Sequence, residues 1–280
     1  SQTIIGIVLL IIGFGIILFI YLQLGWTETV DRETCHQSVI FRGSLTDKLD
    51  FKQVVPLKCK TRKVCISDKT KGECKDDLGD NYNTIKIDSS PDKIQNQVKM
   101  AFAREMADCW SMMGQGKIQV FTRKVEGIDA APTQCVICSK ISFDDSVKGK
   151  INKINDMGNY LFNHQAPNTE VSYWEFLTNN KERFNVGTDN LNLDQKAIVF
   201  SETTESKLPL YFGRFVGGGL LTYLMGPGLG TGIGAVGGDY VASIFGAEVD
   251  GNKYASGIQL INFDSDHFKE LKCDSFENIP

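Results

Sequence analysis

The sequence predicts an α+β fold with an N-terminal transmembrane or filament-type helix, a disulfide-bonded mixed sheet-and-helix ectodomain, and a glycine-rich apolar helical hairpin. Three observations predict it. No charged residue precedes Glu28, and all eight cysteines follow that uncharged run. Stretches of strand-like alternation are interleaved with stretches of helical spacing, without a regular βαβ rhythm. A late segment combines dense glycine with apolar residues. The expected division is a hydrophobic membrane helix over 1–26, a cysteine-rich α+β ectodomain over 27–208, a glycine-rich apolar hairpin over 209–248, and a C-terminal strand and tail over 249–280 that rejoins the ectodomain.

Composition narrows the classes. The chain has 280 residues, 42% hydrophobic and 23% charged, which is globular and excludes wholesale disorder. Thirty Lys and Arg stand against 34 Asp and Glu, so there is no overall basic field and no nucleic-acid partner is expected. Three histidines (His36, His164, His267) in no ligand pattern make a histidine-built metal centre unexpected. The expectation is no metal and no cofactor.

Residues 3–21 are almost purely Ile, Leu, Val, Gly and Phe. As a helix they cover roughly 28 Å, close to the hydrocarbon thickness of a bilayer. Tyr21 and Trp26 follow, where amphipathic rings favour the interface. A retained signal peptide fits less well, because no Lys or Arg precedes the run and no small-x-small site follows it. The first residue, Ser1, is not Met, which implies removal of Met or of a short leader. With a basic leader removed, this layout resembles type IV pilin-like subunits. There the processed helix anchors the subunit and later packs in a filament core. The acidic residue usual near the start of bacterial pilin helices is missing here. Membrane lipid is the partner this implies.

The eight cysteines (Cys35, Cys59, Cys65, Cys74, Cys109, Cys135, Cys138, Cys273) read as disulfides in an oxidising compartment. Roughly a hundred connectivities are open, and local spacing favours only Cys65–Cys74. Cys135-Val-Ile-Cys138 admits three readings. It could be a redox dithiol, half a zinc site, or two structural cysteines bonded into neighbouring elements. A redox pair needs its first cysteine at a helix N-terminus, whereas 134–143 is β-branched and reads as a strand. A zinc site needs a second pair of suitable spacing. Structural disulfides are favoured.

Along the ectodomain, 37–42, 53–57 and 63–67 read as strands around a basic, solvated loop. Ser90-Pro91-Asp92 supplies a cap residue, a proline at the first helical position and an acid in the first turn. Ile94, Val98, Ala101, Phe102, Cys109, Trp110 and Met113 then form one apolar helix face that Gly114 ends. Residues 117–121 and 134–143 alternate as strands. A second helix is expected from Val147 to Leu161 and a short third over 171–177, with strands at 196–201 and 257–263. Antiparallel sheet plus helices is the expected architecture.

The run Arg104-Glu-Met-Ala-Asp-Cys109-Trp110, then Gly114-Gln-Gly116-Lys117, Cys135-x-x-Cys138 and Ile141-Ser-Phe143-Asp144, is similar to a set of uncharacterised archaeal membrane-anchored envelope proteins. The resemblance covers about 35–145 and the C-terminal strand. It implies an anchored, cell-surface location and no assigned activity.

Residues 210–247 hold twelve glycines and two charges, Arg214 and Asp239. Gly226, Gly230, Gly234 and Gly238 recur every fourth residue, and Gly213 and Gly217 share that spacing. On a helix this bares one backbone face to a neighbouring helix. So much glycine is a poor helix in water, so packing or an apolar environment must offset the loss. Pro227 suggests a hairpin turn. A phosphate-binding loop is not supported, because the preceding strand, the lysine and the acidic residue are missing.

No catalytic set stands out, so an enzyme is not expected. The leading expectation is a non-enzymatic structural subunit of a self-associating cell-envelope assembly, a filament, ring or pore-like homo-oligomer on the extracytoplasmic side. Two alternatives are an anchored thiol-disulfide oxidoreductase using Cys135 and Cys138, and a membrane-inserting or fusion protein acting through the glycine-rich hairpin.

Overall fold

A computed structural model describes residues 6, 10–15, 26–45, 56–121, 134–179, 181, 190–204, 232–237, 240–249, 252–264, 268–269 and 273–276. The elements in chain order are α1 (Trp26–Ser44), β1 (Arg62–Ser67), α2 (Lys75–Leu78), β2 (Asn83–Lys86), α3 (Pro91–Met112), β3 (Gln134–Phe143), α4 (Asp145–Lys148), β4 (Lys153–Asn155) and α5 (Met157–Asn163). They continue with α6 (Tyr173–Thr178), β5 (Asn190–Asn192), β6 (Lys196–Thr204), β7 (Gly232–Gly237), β8 (Tyr240–Val249), β9 (Asn252–Asn262) and β10 (Asp274–Ser275).

The α+β class holds, but the sheet is mixed rather than antiparallel. Its order is β2-β1-β3-β6-β9-β8-β7, with β10 beside β3. β1 runs parallel to β2 and β3, and β10 runs parallel to β3. From β3 through β6, β9, β8 and β7 every pairing is antiparallel. Parallel neighbours require crossovers, and the chain supplies α2 between β1 and β2 and α3 between β2 and β3. This βαβ rhythm is hidden in the sequence because β2, Asn-Thr-Ile-Lys, is short and mostly polar.

Strand alternation sorts the core. Val136, Ile141, Phe143, Ile198, Phe200, Ile258 and Leu260 join the main cluster with Val98, Phe102, Met106, Trp110 and Met113 of the α3 region. Phe102 meets Phe143 edge-on at 5.9 Å. The intervening residues Cys135, Ile137, Ala197, Val199 and Ile261 form a second cluster with Phe263, Phe268 and Cys273. β3, β6 and β9 therefore feed two cores, one under the helices and one under the C-terminal segment.

The α3 reading is accurate at both ends. Ser90 is the extended N-cap and Pro91 opens the helix, although the Ser90 hydroxyl donates to Asp88 at 2.6 Å rather than capping. Gly114 ends it with φ +74°, and a Cβ there would lie 2.6 Å from Ile118. The expected strand over 63–67 is β1, and the expected short helix over 171–177 is α6, where Ser172 Oγ accepts the Glu175 N–H at 3.1 Å.

Other expectations are corrected. Residues 37–42 are helical within α1, because Cys35, Val39 and Arg42 are buried at i, i+4, i+7 and seat the helix on α3. The strand expected at 53–57 lies mostly outside the described residues. Residues 117–121 form no strand, since the Val120 and Phe121 N–H groups donate to the Glu202 carboxylate instead of a ladder. The long second helix breaks into α4, β4 and α5. Asp156, at φ 56°, sets the last turn off from β4.

The transmembrane helix is also overturned. No helix among the described residues is long and apolar enough to cross a membrane. Of the apolar run, residues 6 and 10–15 are described and helical, with Leu10, Ile11, Ile12 and Phe14 exposed. Gly6, Gly13 and Gly15 weaken a helix in this run. The longer helix that follows, α1, carries Glu28, Asp31, Arg32, Glu33 and Arg42 and packs on protein.

The described part of the glycine-rich segment expected as a helical hairpin is likewise not helical, and its residues 209–231 lie outside the described residues. Residues 232–237 and 240–249 are strands β7 and β8, paired antiparallel from Gly232↔Phe245 to Gly237↔Tyr240. Every-fourth spacing misled because Gly226, Gly228, Gly230, Gly232 and Gly234 also recur every second residue, the period of a strand. Glycine's low helix propensity then decides between the two periods.

Candidate functional site

Among the described residues the chemistry is concentrated in a disulfide frame, two buried ionic clusters, a polar cavity and a sheet edge. All eight cysteines are paired. Cys35–Cys59 ties α1 to the approach to β1, and Cys65–Cys74 closes the loop after β1, as local spacing favours. Cys109–Cys138 joins α3 to β3, and Cys135–Cys273 joins β3 to the segment entering β10. Cys135 and Cys138 thus bond different partners on opposite faces of the sheet, both buried. They are structural cysteines in neighbouring elements, and they do not share the bond a C-x-x-C dithiol uses.

A bulge makes this arrangement possible. The β3–β6 register shifts between Ile137 and Ser139. Two successive residues therefore turn toward α3. Cys138 takes the sulfur of Cys109, and the Ser139 hydroxyl donates to Glu105 Oε2 at 2.6 Å. Arg62 reaches the other carboxylate oxygen at 2.7 Å and lies 3.7 Å from Asp108, which Arg32 of α1 holds at 2.8 Å. Burial pushes the Glu105 carboxyl above its ordinary range, with Arg62 and Ser139 pulling the other way. This cluster fixes α1, α3, β1 and β3 against one another.

A second cluster lies at the far end of α1. Glu202 Oε2 accepts the Val120 and Phe121 N–H groups at 3.0 and 3.2 Å. Arg42 is buried beside it. Desolvation lowers the Arg42 pKa, and the Glu202 charge opposes that shift. Asp144, the last residue of the Ile141-Ser-Phe143-Asp144 motif, caps α4 through Ser146 N at 2.8 Å and takes the Glu73 N–H at 2.6 Å. Its burial opposes ionisation, but those backbone donors, the Ser146 hydroxyl and Lys69 outweigh burial and hold the carboxyl at about 2.

The cavity has a volume of about 700 Å³ and lies where α4, β5, β6 and β9 converge. Polar side chains dominate its lining, among them Asp77, Lys148, Asn192, Asp194, Asn262 and Asp264. Behind it stands Lys196, fully buried at the start of β6, whose ammonium donates to Asn192 Oδ1 and Asn262 Oδ1. The sequence reading placed a strand here and missed the site. The available signal was a lysine opening the otherwise apolar strand Lys-Ala-Ile-Val-Phe.

Of the glycines expected to drive assembly, Gly234 lies in β7, opposite Ser243. Gly213, Gly217, Gly226, Gly230 and Gly238 lie outside the described residues. β7 ends the sheet and, among the described residues, pairs only with β8. Its sequence Gly-Ile-Gly-Ala-Val-Gly carries no charge and no proline. The opposite edge, β2, has four residues and ends on Lys86. Among the described residues no group of three or more His, Cys, Asp or Glu could hold a metal ion. Comparison with family models, curated proteins and solved structures finds no match to this chain.

Proposed function

We propose that this chain is a non-enzymatic structural protein of an oxidising, extracytoplasmic compartment that self-associates by pairing β7 with β7 of a second copy. The observation that carries the reading is the contrast between the sheet's two edges. Edge strands normally avoid pairing by being short, charged, proline-bearing or bulged. β2 is short and ends on a lysine, whereas β7 has six residues and none of those devices in its sequence. Antiparallel pairing of identical strands makes a closed two-fold contact. Glycine allows two backbones to approach closely. The four disulfides support the compartment, since such bridges persist where thiols are oxidised. A cell-envelope setting agrees with the family the Arg104–Asp144 motifs resemble.

The test is light scattering behind size exclusion on the parent and on Ala235→Lys, which puts a charge in mid-edge. The reading expects a concentration-dependent dimer or larger species in the parent and a monomer in the variant, with thiol titration showing intact disulfides in both. A parent that stays monomeric at high micromolar concentration, or a variant that associates like the parent, contradicts it.

A further inference from the structure

We infer that the cavity in front of Lys196 binds a neutral, hydroxyl-rich ligand of the carbohydrate class. An ammonium only donates, so Lys196 forces the carbonyl oxygens of Asn192 and Asn262 to face it. The amide NH2 groups are thereby turned away from the buried lysine, and that of Asn192 donates to Asp194 Oδ2. Asp77 is fixed in the same way, its Oδ2 taking the Ser142 hydroxyl while its carbonyl accepts Gln195 Nε2 at 2.9 Å. The lining is therefore pre-oriented by hydrogen bonds from beneath, which lowers the ordering cost of binding.

Its chemistry selects the ligand. Carboxylates of Asp77, Asp194 and Asp264 accept, Lys148 donates, and the Asn152 amide can do both. A hydroxyl group both donates and accepts, so a polyol satisfies such a mixed surface. Three carboxylates oppose an anion, while Lys148 and the buried ammonium offset two of the three negative charges and so weaken the pull on a small cation. Ile151 and Leu193 add an apolar patch for the C–H face of a ring. The volume falls within the range of small-ligand sites.

The experiment is saturation-transfer NMR on the full chain with a panel of neutral mono- and disaccharides, with spermidine and citrate as charged probes. At least one sugar is expected to bind, and Asp264→Ala, at an exposed position, should weaken it about tenfold or more. Asp194→Asn serves as a second variant if Asp264→Ala alters the folded proton spectrum. The inference is overturned if no sugar gives a signal, if only spermidine or citrate binds, or if both variants bind the sugar like the parent. Association through β7 is read separately by light scattering, so neither result decides the other.

Discussion

Around β1 and β3 the strands run parallel, crossovers cover them, and all eight cysteines lie in or beside these elements and the helices packed on them. At the β9–β8–β7 end the strands run antiparallel, and β7, β8 and β9 contain no cysteine. The first region carries covalent bonds and buried ion pairs; the second joins the core through Ile258, Leu260 and Ile261 of β9 and is otherwise joined by its backbone ladder. Such a division suits a rigid frame that presents a strand edge, β7, which among the described residues pairs on one side only. Stability and association should therefore respond to different substitutions.

The largest expected effect lies in the frame. Replacing Cys135 and Cys273 together by serine removes a link spanning 138 residues. On the chain-entropy account this costs about 5 kcal/mol, read as a lower denaturation midpoint in urea. Next is Glu105→Ala, which leaves Arg62 in a buried site with Asp108 3.7 Å away as a nearby acid. A loss of about 3 kcal/mol is expected, with Glu105→Gln milder because it keeps the Ser139 contact. Asp144→Ala should cost about 1 kcal/mol through the lost α4 cap. Ala235→Lys comes last, shifting the denaturation midpoint little while abolishing association. If Ala235→Lys instead unfolds the chain, the division between frame and edge is wrong.

Acid sharpens the same contrast. The Asp144 carboxyl is depressed, so its stabilisation is present above its ordinary value of 3.8 and is lost as pH falls toward about 2. Glu105 is shifted the other way, so its contribution is full below 4.5 and lost as pH rises through its elevated folded value. Unfolding curves of Asp144→Asn should consequently be flatter than the parent's between pH 4 and 2. Identical slopes would place Asp144 outside the acid response.

Much of the frame is legible in the sequence because its signals are local. The proline at N1 and Gly114 delimit α3, and β-branched alternation marks β3. The odd spacing of Cys135 and Cys138 already puts them on opposite faces of a strand. What escapes is set by tertiary partners. α1 is helical over a β-branched stretch because Cys35 and Val39 pack on α3, and 117–121 stays irregular because Glu202 captures its N–H groups. The cavity is unreadable locally, since Asn192, Lys196 and Asn262 meet only after β6 pairs with β9. The hairpin misleads for a different reason: its glycines satisfy two periods, and only backbone propensity separates them.

The most direct test is hydrogen exchange of the β7 amides measured at high and at low protein concentration. Pairing of copies through this edge predicts β7 protection that falls on dilution while protection in β1 and β3 stays constant. Protection of β7 that does not change with concentration would contradict the account.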